Sequence, residues 1–339
     1  MVKLYPHLRA RTFMARTFFL LLSLYFTTVA HAQRFAVSSG NWSDAIWAAT
    51  ATGAAGSAAV PGAADAVIIN GGVTVTVGGI AAGSLAVPTS LTISSGAVLD
   101  MGTYELAAAA ITNNGTLRTQ STSPVALPRG ITWGGTVSYD AASEQFIATG
   151  QYNNLSIAGG SRIFGAGETA IAGVFITDQH SVALGGSSLH FNGTAAQTVP
   201  SWNYTNLRIS GAHGNSNITF APGNVGISGT LSLDATFGNG SYVLSSPSTF
   251  VFQGTATQEI PANGRLSYQN LTVFNTAAPV HAGGMLTVNG TLLVDKGATL
   301  DMGSYPLGGA LSKITINGLL RGTVSSSSSA EALKGQELR

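Results

Sequence analysis

The chain has 339 residues, 15 basic and 14 acidic, so 9 % are charged against roughly a quarter in an ordinary soluble domain. With 45 % hydrophobic residues it can build a large core and does not read as a disordered chain. The absence of cysteine excludes disulfide scaffolds, Cys zinc sites and thiol catalysis, and the low charge excludes an electrostatic nucleic-acid binder.

Residues 1–32 read as a secretory signal peptide. Lys3, Arg9, Arg11 and Arg16 form its basic region, Phe18 to Val29 its apolar run, and Ala30-His31-Ala32 an A-x-A cleavage site. The same apolar run follows Met14-Ala15-Arg16, which makes Met14 an alternative start. Without the four basic residues of this segment, 11 basic and 14 acidic residues remain, a net charge of −3. No later apolar stretch reaches the length of a transmembrane helix, so none is expected after cleavage.

Residues 33–324 read as one all-β repeat domain, with an N-terminal cap around residues 36–69. Val73 to Val77 and Leu91-Thr92-Ile93 alternate with period two, and pairs such as Asn70-Gly71, Asn114-Gly115 and Asn289-Gly290 punctuate the runs. Gly96 to Leu106 matches Gly297 to Leu307, and both are followed by Ile-Thr-x-Asn-Gly-x-Leu-Arg, at 111–118 and 314–321. A second unit occurs three times. An aromatic residue (Tyr139, Phe191, Phe252) precedes a glutamine (Gln145, Gln197, Gln258) by six positions, and Y-x-N-L-x-[I/V] follows from Tyr152, Tyr204 and Tyr268. The third copy carries three extra residues between Gln258 and Tyr268. Such recurrence predicts a solenoid. The alternation predicts a parallel β-helix of about a dozen coils, with an antiparallel β-sandwich as the alternative. Residues 325–339, a Ser run and a charged tail, are expected to be disordered or to mark a truncation.

The opening of this domain contains Gly40-Asn41-Trp42, Trp47, Val60-Pro61-Gly62, Asp65-Ala66-Val67-Ile68-Ile69 and Val73-Thr74-Val75. This pattern is similar to the eight-glycine β-helix domain and to the start of large secreted repeat proteins of Bacteroidota-type bacteria. The F-x-G-x-x-x-Q…Y-x-N-L-x-I unit resembles repeats of the same surface proteins, and the two patterns span most of residues 36–321. The resemblance implies an adhesin-like, extracellular or cell-surface protein associated with type IX secretion. The chain departs from that pattern in showing no sorting domain before Arg339.

Candidate chemistry is sparse. The carboxylates Asp100, Glu105, Asp140, Glu144, Glu168, Asp178, Asp295 and Asp301 are scattered, and Asp100 and Asp301 recur within a repeat, which predicts turn capping. His180, His190, His213 and His281 have no metal-ligand spacing and are expected on the surface or in loops. Gly165 to Ala170 matches G-x-G-x-x-A, but the following Ile171 to Ile176 reads as strand, so the match predicts no dinucleotide site. Trp42 and Trp47 are expected to cap the first coils. Trp133 and Trp202 are the candidates for ligand contact, with packing against a neighbouring coil as the competing role. The Tyr and Gln rows are expected to be architectural. The reading is an exported, non-enzymatic solenoid with a structural or adhesive role and no cofactor. Its expected partners are polysaccharide or other copies end to end. The opposing reading is a polysaccharide lyase or glycoside hydrolase on the same fold, or a fragment of a longer surface protein.

Overall fold

The computed structural model describes residues 32–78, 88–178 and 182–322. The signal segment (Ala32 apart), His180 and the 325–339 tail lie outside the described residues. All regular structure among the described residues is strand. The strands stack in parallel register as a β-solenoid of about 12 turns. One antiparallel contact stands at the N-terminal end, where Trp47–Ala48 covers the outer edge of Gln33–Ala36. The antiparallel sandwich is not formed, because the segments between strands return the chain to the start of the next coil instead of reversing it into a hairpin.

Apolar residues line up from coil to coil. Val75, Leu99, Leu117, Val137 and Leu155 are successive register partners, and each is fully buried. Farther along, Phe252, Val273 and Val294 do the same. Burying each such side chain stabilises the coil by about 1.5–3 kcal/mol. The partner of each one lies one coil away, so the core is a set of columns and each column depends on its neighbours. Coil length varies. Val67, Leu91 and Ile111 pair at separations of 24 and 20 residues, and Leu189, Leu207 and Leu231 at 18 and 24. Loop excursions absorb the difference, since lengthening a surface loop costs little.

At the N-terminal end the rings of Trp42 and Trp47 meet edge to face at 4.9 Å, and the Trp47 indole N–H donates to the Trp42 carbonyl at 2.8 Å. Both are buried, so the two rings lie over the first coils.

Candidate functional site

The repeated polar residues serve the backbone. The Gln145 side-chain oxygen accepts from the Ala141 N–H, and its amide donates to the Thr119 and Ser121 carbonyls of the preceding coil. Gln197 repeats this with Gly193, Ile171 and Gly173, and Gln258 with Gly254, Ile227 and Gly229. Each glutamine thus clips a corner of its own coil to the coil before it. The buried tyrosines also close turns: Tyr152 donates to the Ala148 carbonyl at 2.6 Å and Tyr204 to the Pro200 carbonyl at 2.7 Å. Asn206 and Asn270 reach forward, accepting from the Thr230 and Thr291 N–H groups of the next coil. The expectation that these rows are architectural is what the hydrogen bonds show.

The two tryptophans singled out for ligand contact are both in the core. Trp133 is fully buried, stacked at 6.4 Å on Tyr152, and Trp202 is 3 % exposed against Phe175, Phe164 and Tyr204. Neither presents a ring face to solvent, so neither offers a sugar-stacking platform in this conformation. Their alternation with polar neighbours put them on an inward position, where packing against the next coil takes the ring.

The recurring aspartates cap turns, as their repetition predicts. Asp100 accepts from the Gly102 N–H and Asp301 from the Gly303 N–H. Outward charges then pair from coil to coil. Arg118 lies between Asp100 at 3.5 Å and Asp140 at 2.6 Å, and the Asp140 hydrogen bond and charge raise its pKa. Arg208 meets Asp234 at 3.0 Å, and His281 lies 3.6 Å from Asp301. Hydrogen bonds from Ser232 and Arg208 hold the Asp234 carboxyl below its ordinary pKa.

Two histidines correct the sequence reading. His190 is 8 % exposed and His213 is 2 % exposed, where surface or loop positions were expected. His213 stacks on Phe237, with Nδ1 at 2.9 Å from the Ala195 carbonyl. His190 sits between two other coils. Its Nε2 is 2.8 Å from the Ser210 Oγ, and its Nδ1 is 3.5 Å from the Glu168 carboxylate. Sequence reasoning did not join these three residues. Their separations of 22 and 20 positions, one coil each, are the only signal the sequence carries.

A surface depression of about 580 Å³ is lined by Thr103, Tyr104, Glu105, Gln120, Ser121 and Ser123 among others. It is polar and open, with a single carboxylate. Among the described residues no three His, Asp or Glu side chains gather into a metal site. No family model, curated protein or solved structure matches the chain.

Proposed function

We propose that this protein is an exported structural and adhesive β-solenoid of the cell surface or extracellular matrix that contacts polysaccharide along its outer faces. The observation that carries this reading is the in-register stacking of small polar side chains on successive coils. Thr92 faces Thr112, and Thr198 faces Thr219. The exposed Asn215 and Asn239 side chains hydrogen-bond across one coil step, as do Asn206 and Thr230. Coil spacing of about 4.8 Å makes a described rod of roughly 60 Å. Such rows offer many weak hydrogen-bonding positions at a fixed repeat, and a stiff polymer that meets several at once gains affinity by avidity. The packed aromatic core and cross-coil Gln clips keep the rows rigid, so little ordering entropy is lost on contact.

The test is retention of the purified protein on a panel of immobilised polysaccharides, with and without Ca²⁺, with released sugars scored in the same tubes. Retention on at least one polymer, without new chain ends, is the expected result. Failure to bind any polymer would remove the adhesive reading, and new reducing or unsaturated ends would replace it with polysaccharide cleavage.

A further inference from the structure

The geometry points to a second property, independent of polysaccharide contact: Ser210, His190 and Glu168 form an acyl-transfer relay that hydrolyses short-chain carboxylic esters. Glu168 lies in the strand Gly167–Ile171 and His190 in the strand Ser187–Phe191, while Ser210 directly follows Asn206–Ile209. Ala170 pairs with His190, and His190 with Arg208, so the three side chains run diagonally across three coils. The order of contacts is that of a nucleophile, a base and an orienting carboxylate. Ser210 Oγ touches Nε2 at 2.8 Å, and the carboxylate faces Nδ1 at 3.5 Å. Nδ1 is buried and makes no hydrogen bond among the described residues, so Glu168 is the group positioned to take its proton's charge. With Nδ1–H turned to Glu168, the Nε2 lone pair accepts the Ser210 hydroxyl. Arg208, the register partner of His190, is held by Asp234 at 3.0 Å.

The next residue supplies the remaining part. Gly211 follows the serine at φ +108°, and its N–H has no backbone carbonyl partner among the described residues. An N–H immediately after a nucleophilic serine is placed to stabilise the oxyanion of a tetrahedral intermediate. A Cβ at Gly211 would collide with the Gly193 carbonyl, so the position requires glycine twice over.

In the reaction Ser210 Oγ bonds to the ester carbonyl carbon as its proton moves to His190 Nε2. The carbonyl–alkoxy bond then breaks, and the alcohol leaves with that proton. Water attacks the acyl-serine, gives a proton back through His190, and the carboxylic acid departs as Ser210 is restored. Glu168 is exposed, Ser210 half-buried and His190 8 % exposed, so the serine end offers a shallow approach rather than a deep cleft. A short acyl group on a bulky alcohol therefore fits, whereas a long acyl chain would find no cover.

The test uses the full protein with p-nitrophenyl acetate and p-nitrophenyl octanoate, together with a fluorophosphonate probe. The expected result is acetate-preferring turnover, an acetyl adduct and probe labelling at Ser210, and loss of about 100-fold or more in Ser210→Ala and His190→Gln. Glu168→Gln is expected to lower kcat with KM unchanged, as a positioning residue should. Melting curves on each variant separate loss of chemistry from loss of fold. Equal turnover by wild type and Ser210→Ala, labelling at another serine, or wild-type turnover no faster than buffer would each overturn the assignment.

Discussion

The Tyr268 hydroxyl donates to the Pro261 carbonyl at 2.7 Å across seven residues, where Tyr204 makes the same bond to Pro200 across four. The three extra residues of the third repeat are therefore looped out between the two ends of a conserved hydrogen bond. The bond closes over the insertion, so the added length bulges outward without moving either end, which is why the chain tolerates it there. Shortening that loop by the three residues is expected to leave stability unchanged or raise it slightly, because less loop is ordered. Tyr268→Phe is expected to cost about 1–2 kcal/mol by stranding the Pro261 carbonyl. Urea unfolding of both variants checks the contrast.

The buried phenols predict alkaline unfolding. Burial pushes Tyr139 and Tyr242 up to about 12 from 10.0, and it pushes Tyr152, Tyr204 and Tyr268 up as well. For Tyr139 and Tyr242, the folded chain holds protons that the unfolded chain releases once pH passes 10.0. Their contribution is fully present below that pH and is lost as pH rises through about 12. Denaturant midpoints measured from pH 8 upward should be flat with respect to these groups and then fall steeply above about pH 10.

The glutamine clip predicts an asymmetry between substitutions. Gln197→Ala strands the Gly193 N–H and the Gly173 carbonyl, while the Ile171 carbonyl keeps the Asn192 N–H. It should cost about 2 kcal/mol or more at 1–3 kcal/mol for each unpaired buried group. Gln197→Glu keeps the acceptor but turns a carboxylate on two carbonyls, and should be at least as damaging at neutral pH. Chemical denaturation of the two variants gives the answer directly.

Gly229 and Asn206 should be energetically coupled. A Cβ on Gly229 would lie 2.5 Å from the Asn206 side-chain oxygen and 2.6 Å from the Thr205 carbonyl. Gly229→Ala is expected to cost about 1–3 kcal/mol by overpacking. Adding Asn206→Ala removes one of the two collisions, so the double variant should be less destabilised than the sum of the single variants. A double-mutant cycle in urea measures the difference.

Trp133 separates packing from binding. Trp133→Ala is expected to lose about 3–5 kcal/mol through the cavity it leaves. Trp133→Phe should keep polysaccharide retention at the wild-type level, since no indole face reaches solvent. A drop in retention by a folded Trp133→Phe would place the ligand at that position.

The sequence was readable where side chains answer to their own repeat. Gln145, Gln197 and Gln258 recur six residues after an aromatic because each must reach the turn beside it, so spacing and role appear together. Asp100 and Asp301 behave in the same way. Trp133 and Trp202 drew notice as contact candidates because they sit in or beside variable segments, and their burial is that of the packing role weighed against it, since period-two alternation turns both inward. His190 was missed because its partners come from other coils.

The sequence by itself determined strand against helix, a repeating solenoid architecture, and which polar residues close each turn, because period-two patterning and backbone-directed hydrogen bonds are local. Only the tertiary structure decided that Glu168, His190 and Ser210 meet, that the Trp133 and Trp202 faces are covered, and that Arg118 bridges two aspartates. Those contacts depend on coil-to-coil register. Loop excursions change that register from 18 to 24 residues at little energetic cost, so it cannot be counted along the chain.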